Sequence, residues 1–294
     1  MKFGVFSVSM PEYTPEETVP LLKELGFDGV EWRVAEPPAN KPDKVPYELR
    51  YWQDNKSTIY LAELDEKADA IRRLCDENGI EIFSLTTYLS FADLEKVEAV
   101  LKVAKRIGVP KVRVFPARFP GDKDLKTMES EAVSNIRALE KLAAKYDVKI
   151  LFEIHMDTIM ASPSEAYRLI QGCDPKYIGL IFDPGNMVNE GFEDYDKSFQ
   201  LLGSYIAHIH IKNGALVNDG TDQFGATKWK RQWTPLKEGM ANLALFFEIM
   251  QKYGYDGTVS IEDFSNKLTT VEKLKDNLAY MKQLAEAAQK KDAG

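Results

Sequence analysis

Short apolar runs alternate with longer, mixed segments along the whole of this chain. Runs of strand length that are rich in Val, Ile and Phe lie at about 2 to 8, 28 to 34, 81 to 87, 111 to 116, 149 to 154, 177 to 183, 206 to 212 and 257 to 263. Nearly continuous apolar runs of this length are typical of parallel strands that are covered on both faces. The pattern therefore predicts a parallel β-sheet.

The segments between these runs have the pattern of helices. Charged, leucine-bearing stretches at about 61 to 78, 93 to 107, 124 to 146 and 271 to 289 predict amphipathic outer helices. Thr14-Pro15-Glu16-Glu17 predicts a helix start with an N-cap, a proline at the first helical position and a capping-box Glu, and Gly26 predicts the end of that helix. Alternation of this kind favours a closed (β/α)8 TIM barrel of the α/β class, one domain spanning residues 1–294, over a doubly wound open sheet.

Two connections are much longer than the others. The first runs from about 35 to 58 and carries Tyr51 and Trp52, and the second runs from about 213 to 236 and carries Trp229 and Trp233. Both follow a predicted strand, so in a barrel both are long βα loops on the face where active sites are built. Two interpretations are open: they are lids over a site, or they are surface loops or subunit contacts.

Composition narrows the classes of partner. The chain has 294 residues with 44% hydrophobic residues, which suffices for the core of one large enzyme domain. A net charge of -8 gives no general attraction to nucleic acid, so we expect none as a partner. The first apolar stretch is too short for a signal peptide and no run approaches the ~20 residues of a membrane span, so we expect a soluble, cytoplasmic protein without a membrane partner.

Four of the strand-like segments end in a residue that binds hard divalent metals: Glu153, Asp183, His210 and Glu262. A buried carboxylate costs several kcal/mol unless a cation or a hydrogen-bond donor compensates it. A salt bridge or a helix N-cap would explain any one of them, whereas four in succession favour one shared ion at one end of the sheet. Three oxygens and one imidazole suit Mn²⁺, with Mg²⁺ or Co²⁺ as alternatives, better than structural Zn²⁺.

Side chains two residues apart on a strand point to the same face. His208, His210 and Lys212 therefore share a face, with His208 one layer deeper, where a packed and hydrogen-bonded histidine is expected rather than a ligand. His155 and Lys212 are expected at the mouth, His155 as a general base and Lys212 to hold a hydroxylate or a phosphate, unless both are solvent-facing rim residues.

We predict that His155, Asn186, His208 and Lys212 form the substrate-binding surroundings of the metal. On strand two, Glu31 and Arg33 share a face and are expected to form an ion pair on the barrel floor, although contact with the substrate is the alternative.

The chain resembles the xylose-isomerase-like barrel superfamily of sugar isomerases and epimerases, which includes ketose 3-epimerases, hydroxypyruvate isomerase, inosose dehydratases and endonuclease IV. The segments that carry the resemblance are Gly26 to Glu31, Phe152-Glu153-Ile154-His155, Phe182-Asp183-Pro184-Gly185-Asn186, His208-Ile209-His210-Ile211-Lys212 and Gly257 to Glu262. The resemblance implies a barrel in which Glu153, Asp183, His210 and Glu262 bind the metal. It also implies that Glu153 and Glu262 are the catalytic pair that moves protons.

The activity implied by this resemblance is a divalent-metal-dependent isomerase or epimerase that acts on a keto sugar or related polyol through a metal-stabilised enediolate. Ketose 3-epimerases commonly show a His three residues past the strand-six Asp and an Arg six residues past the ligand His, where this chain has Asn186 and Leu216. The alternative is an inosose dehydratase or a 3-keto-glycoside lyase, in which proton abstraction is followed by β-elimination on the same site. A product assay distinguishes the two.

Two further classes rank below these. An endonuclease IV-like nuclease uses a histidine-rich multi-zinc site, whereas this acidic chain has 3 histidines. A non-enzymatic, metal-stabilised sugar-binding protein would bind metal without turnover of any keto sugar. In every case except the nuclease, the expected partner is a small-molecule carbohydrate, and a homo-oligomer is an open alternative to a monomer.

Overall fold

The computed structural model describes residues 1–39 and 44–292. Eight parallel strands form the barrel: β1 (Lys2–Phe6), β2 (Gly29–Ala35), β4 (Glu81–Ser90), β5 (Lys111–Phe115), β6 (Lys149–Glu153), β7 (Ile178–Phe182), β8 (Ile206–Ile211) and β11 (Thr258–Ile261). The sheet closes because β1 pairs with both β2 and β11. The predicted (β/α)8 TIM barrel is confirmed, and each of the predicted strands overlaps one of these.

The helices follow the strands around the outside of the barrel. They are α1 (Pro15–Leu25), α2 (Arg50–Gln53), α3 (Leu64–Asn78), α4 (Leu94–Arg106), α5 (Leu125–Tyr146), α6 (Pro163–Ile170), α7 (Pro184–Asn189), α8 (Tyr195–Leu202), α9 (Leu243–Lys252) and α10 (Thr270–Asp292). The capping box predicted for α1 is present, with Thr14 and Glu17 exchanging hydrogen bonds, and the helix ends at Gly26 in the left-handed conformation. No helix in the described part of the chain is both long and apolar enough to cross a membrane.

The two long connections contain structure that the apolar pattern did not reveal. Residues 213–236 are largely an antiparallel hairpin, β9 (Asn213–Thr221) and β10 (Thr227–Thr234), where we expected only a loop. Its strands are mostly exposed and polar, so they lack the apolar runs of a buried strand. The first connection holds α2 and the short strand β3 (Ile59–Tyr60), and its residues 40–43, with Pro42, lie outside the described residues.

The inside of the barrel is polar, whereas the layer between strands and helices is apolar. Val30, Ile209 and Val259 point outward into the apolar layer, and Glu31 and His208 are completely buried inside the barrel. Alternation along a strand separates the two sets, since successive side chains point to opposite faces. Buried polar groups must be hydrogen-bonded to one another. The interior is therefore a connected polar network, and it supports the groups at the mouth.

Candidate metal centre

The four predicted ligands come together at the carboxyl ends of neighbouring strands. Glu153 is the last residue of β6, Asp183 and Glu262 directly follow β7 and β11, and His210 lies near the end of β8. One ligand atom from each lies within 4.8 Å of the others, and all four residues are buried. The sheet order β11-β8-β7-β6 explains the convergence, because these strands are adjacent. Their role as metal ligands stays a prediction.

The hydrogen bonds of His210 leave one ring nitrogen for a cation. Its Nε2 lies 3.1 and 2.9 Å from the two carboxylate oxygens of Glu31, which only accept, so Nε2 carries the hydrogen. Nδ1 is buried without a hydrogen-bond partner and lies 3.4 Å from Glu153 Oε1, 3.8 Å from Glu262 Oε2 and 3.9 Å from Asp183 Oδ2. A ring nitrogen that faces three carboxylates attracts a positive charge, which a proton supplies in the metal-free protein and which a cation would supply in its place.

The electrostatics of the cluster show an excess of negative charge. Burial raises the pKa of Asp183 to about 7, with the charges of Glu153 and Glu262 adding to the rise against the attraction of Lys212. Burial lowers the pKa of His210, but the attraction of Glu31 and Glu153 outweighs it and raises that pKa well above its usual value. The residues present therefore fit a hard divalent cation with oxygen ligands and one imidazole.

Asp183 caps a helix and also faces the carboxylate cluster. Its Oδ1 caps α7 by accepting from the backbone N–H groups of Gly185 and Asn186, at 2.9 and 3.0 Å, and its Oδ2 faces the cluster. Gly185 is required beside it, because a Cβ at that position would lie 2.5 Å from the carbonyl oxygen of Lys212. The Asp-Pro-Gly-Asn run thus combines a helix start with a proposed metal ligand.

Glu153 is held rigidly on both of its oxygens. The Arg113 guanidinium forms a short ion pair with Oε2, and the Asn186 side-chain N–H group donates to Oε1 at 2.9 Å and to Asp183 Oδ2 at 3.1 Å. Burial raises the pKa of Glu153, but Arg113, His210 and Lys212 together hold it well below the usual value. The sequence indicated Arg113 as a residue for an ion pair or for contact with the substrate but did not identify Glu153 as its partner, and it assigned Asn186 to the substrate. The structure instead buries Asn186 behind two of the ligands, as a positioning residue.

Lys212 also lies elsewhere than predicted. Its Nζ forms a short ion pair with Glu262 and lies 2.9 Å from Asp183 Oδ2 and 3.8 Å from Glu153 Oε1. The side chain is buried, and Nζ lies 5.3 Å from the centre of the Trp233 ring. We expected a group at the mouth beside the substrate. The ammonium points inward because three carboxylates attract it, and it competes with a metal for the same oxygens.

Lys212→Met is expected to bind Mn²⁺ at least about tenfold more tightly than the unaltered protein. The variant removes a positive charge that lies 2.9 Å from Asp183 Oδ2 and 3.8 Å from Glu153 Oε1, so a cation held by these oxygens would no longer be repelled by it. Calorimetric titration with Mn²⁺ measures the affinity. Lys237→Met, which removes an exposed lysine that pairs with Asp276, is the control with unchanged affinity. Equal affinities in the two variants would contradict the competition.

His155 keeps the features expected of a general base. Its Nδ1 lies 2.6 Å from the carbonyl oxygen of Met156, which only accepts, so Nδ1 carries the hydrogen and the lone pair is on Nε2. Burial lowers the pKa of His155 to about 4, so the ring is neutral at pH 7. The ring packs against Phe115 and is half-buried two residues past Glu153. It can therefore accept a proton there.

Below the cluster, Glu31 joins two histidines. His208 Nε2 lies 2.9 Å from Glu31 Oε2, and its Nδ1 lies 2.6 Å from the Thr258 hydroxyl. The completely buried His208 thus positions Glu31, and with it His210, which is the packed and hydrogen-bonded role expected for it, and its contact with the substrate stays a prediction. The predicted ion pair of Glu31 with Arg33 is wrong, because Glu31 pairs with the two histidines. The alternation of side chains along a strand predicts that Glu31 points inward. It does not predict the histidine partners, because they lie on β8, far away in sequence.

The two long connections meet above the metal centre. Trp52 from the first and Trp233 from the hairpin both contact Phe264, with ring centres 4.9 and 5.8 Å apart. Phe264 follows Glu262 closely, so both connections lie on the face where the ligands converge. A lid role for them stays a prediction.

Comparison with known proteins places the chain in a family. A model of the xylose isomerase-like TIM barrel family matches residues 19–284, and the chain belongs to that family. It is 23% identical to the 3-dehydroshikimate dehydratase of Bacillus anthracis over 267 residues, which cover 86% of each protein. It is 27% identical over 152 residues to the inosose dehydratase of Mesomycoplasma hyopneumoniae, a match that covers 49% of this chain and 50% of that protein.

Solved structures agree with the fold. A xylose isomerase-like TIM barrel protein from Mycobacterium smegmatis, solved in complex with magnesium, superimposes with a TM-score of 0.70 at 19% identity, over 98% of this chain and 97% of that one. That protein binds Mg²⁺, and the named sequence relatives are enzymes that act on small molecules. The comparison therefore identifies the family, and the reaction has to be inferred from the residues of the site.

Proposed function

We propose that this protein is a divalent-metal-dependent dehydratase of small polyhydroxylated ketones. It abstracts a proton from the carbon next to the carbonyl and releases water from the following carbon. The observation that carries this proposal is the ion pair between Arg113 and Glu153. The dehydratase relative that matches over 86% of both chains supports it.

The ion pair matters because it limits which groups can move protons. Epimerisation or isomerisation by two carboxylates requires each to give and take a proton during the reaction. Both carboxylate oxygens of Glu153 are engaged, one by Arg113 and one by Asn186, so neither is free to take up a proton from the substrate. The expected catalytic pair of Glu153 and Glu262 is thereby reduced to one mobile carboxylate. Elimination needs only one base, and His155 supplies it.

The steps that the side chains perform can be written out. A divalent cation held by Glu153, Asp183, His210 and Glu262 would stabilise the negative charge that develops on the carbonyl oxygen. His155 Nε2 takes the proton from carbon, the C–H electron pair forms the new C=C bond, and the C–O bond to the neighbouring hydroxyl breaks. The low pKa of His155 makes its protonated form a strong acid, so it returns the proton to the departing hydroxyl, which leaves as water.

A carbohydrate isomerase or epimerase is the second candidate. The observation that favours it is the convergence of Glu153 and Glu262 on one site, which places two carboxylates near the same substrate. The initial proton abstraction is common to both reactions. The fate of the resulting carbanion separates them.

The test combines metal analysis with carbon-bound deuterium exchange. The purified protein, loaded with Mn²⁺ or Mg²⁺, is incubated in D₂O with inososes, ketoses and 3-keto-glycosides, and exchange and products are followed by NMR and mass spectrometry. A product that is lighter by one water supports the dehydratase. Interconversion of isomers without loss of water would establish the epimerase instead. Bound metal without exchange on any ketone would contradict both.

His155→Gln is expected to lower the rate of this exchange by about 10²- to 10³-fold, the usual contribution of a positioned general base. Gln retains a hydrogen-bonding side chain of similar size but cannot take up the proton. Calorimetric Mn²⁺ binding should stay within about twofold, since His155 is not one of the four proposed ligands. Exchange at the unaltered rate would remove His155 from the mechanism.

A further inference from the structure

The proposed metal ligands are covered in this structure. Glu153, Asp183 and His210 are completely buried, and Glu262 is 5% exposed. A substrate can contact a cation held by these side chains only when part of the structure above them is displaced. An element over the barrel mouth therefore has to move for the proposed function.

The hairpin of β9 and β10 is joined directly to the metal centre. It begins immediately after Lys212, on the segment that carries His210. The ring centre of Trp233 on β10 lies 5.3 Å from Lys212 Nζ and 5.8 Å from the ring centre of Phe264. The inner end of the hairpin thus covers the ammonium group that pairs with two of the proposed ligands.

The hairpin is held firmly at its base and weakly along its length. The buried Asn213 side chain donates to the carbonyl oxygens of Leu236 and Ala241, at 2.8 and 3.1 Å, and accepts from the Ala241 N–H group at 2.9 Å. Residues 218–232 are all exposed. Within residues 1–39 and 44–292, the ion pairs between the hairpin and another element are formed by Arg231. Movement about the base therefore requires mainly the loss of the Arg231 contacts and of the packing at the inner end.

Arg231 ties the hairpin to the turn that carries His155. Its Nη1 lies 2.8 and 2.9 Å from the two carboxylate oxygens of Asp157, and its Nη2 lies 3.8 Å from Glu190 Oε2, which also accepts from the Asp157 N–H group at 2.7 Å. The same turn is closed by the His155 N–H group, which donates to the Met160 carbonyl oxygen at 3.0 Å. The guanidinium and the two carboxylates are 41–48% exposed, so water screens their attraction and the contact can break and re-form.

We propose that the hairpin is a lid over the metal centre and that Arg231 is the positioning residue that holds the lid closed. In the closed form Trp233 covers Lys212, and the contact with Asp157 fixes the turn on which His155 lies. Opening about the base of the hairpin would expose the carboxylates to ions and small molecules. Access of the substrate rests on the proposed function, whereas the opening itself does not.

Thiol labelling measures the opening without any metal or ketone. Glu262→Cys places a thiol among the proposed ligands, and methyl methanethiosulfonate, a small uncharged reagent, reacts with this thiol when the lid is open. Peptide mass spectrometry separates it from the buried Cys75 and Cys173. In this background Arg231→Met should raise the labelling rate about fivefold, the factor that corresponds to the upper end of the range for an exposed ion pair.

Matched variants show whether the contact between Arg231 and Asp157 is itself responsible. Lys230→Met is the control with an unchanged rate, because Lys230 pairs with Asp219 inside the hairpin. Asp157→Asn, which suits the left-handed backbone at this position, should raise the rate as much as Arg231→Met, and the double variant should raise it no further. Arg231→Lys keeps the charge and should restore part of the slow rate. An unchanged rate in Arg231→Met, or additive effects of the two substitutions, would overturn the proposal.

Stopped-flow binding of Mn²⁺ to the chain with all four proposed ligands gives a second measurement, which decides the question if Glu262→Cys does not fold. A lid that Arg231→Met loosens should speed Mn²⁺ association and dissociation by the same factor of about five and leave the affinity within about twofold. A changed affinity with an unchanged association rate would mean that Arg231 shapes the site and does not hold a lid. Faster thiol labelling in Arg231→Met, without turnover of any ketone, would leave the lid standing while the proposed function fails.

Discussion

Glu262→Gln is expected to lower carbon-bound deuterium exchange by at least about 10³-fold while the barrel stays folded. Glu262 is the most exposed of the four proposed ligands, at 5%, and its recorded partner is Lys212 rather than a network of backbone groups. Gln lacks the negative charge that would help to bind the cation. It also lacks the negative charge that now pairs with Lys212. Exchange into an inosose, a ketose or a 3-keto-glycoside, measured by NMR with saturating Mn²⁺, gives the rate.

The control for this variant is Glu238→Gln. Glu238 is an exposed carboxylate that pairs with Lys267, and we expect its variant to exchange at the unaltered rate. Thermal unfolding should give melting temperatures for both variants close to that of the unaltered protein. Full exchange in Glu262→Gln would show that this carboxylate neither binds the metal nor takes part in proton transfer.

Arg113→Met is expected to lower the free energy of unfolding of the metal-free protein by about 3–5 kcal/mol, the usual effect of removing one partner of a buried ion pair. Glu153 is completely buried, and its carboxylate would lose its closest positive charge. The main-chain carbonyl of Thr87 would also lose the donor that now lies 3.2 Å away. Urea unfolding in the presence of a chelator measures the change.

Added Mn²⁺ and a variant of an exposed ion pair serve as controls for the Arg113→Met experiment. Mn²⁺ should restore part of the stability of Arg113→Met, because a cation bound by Glu153 supplies the missing charge. Arg106→Met removes an exposed arginine that pairs with Asp65 and Asp69, and pairs of that kind contribute about 0–1 kcal/mol. A loss in Arg113→Met no larger than in Arg106→Met would mean that Glu153 does not depend on Arg113.

The role of Arg113 links stability to reaction type. A carboxylate that is held by a guanidinium and an amide is a fixed ligand, so the same contacts that make Glu153 tolerable in the interior also keep it from carrying protons. Most of the proton transfer then falls to His155, which is neutral because it is largely out of water. The proposed dehydration follows from this division of tasks between Glu153, at the end of β6, and His155, two residues beyond it.

The sequence by itself determined the barrel and the convergence of four residues of metal-binding type at one edge of its sheet. Apolar runs of fixed length that alternate with amphipathic segments have one favoured arrangement, and residues that end parallel strands must meet at one edge of the sheet. Glu153, Asp183, His210 and Glu262 were therefore identifiable before any coordinate. His155 was identifiable as well, since the period of two places it on the face of Glu153.

Only the tertiary structure decided the partners of the buried charges. Glu31 joins two histidines instead of Arg33, Arg113 holds Glu153, and Lys212 turns inward to Asp183 and Glu262. The period along a strand fixes the direction of each side chain, but the partner it meets comes from another strand far away in sequence. Which of several nearby opposite charges it meets depends on distances of a few ångströms across the closed barrel, because electrostatic attraction in a dry interior changes steeply over that range.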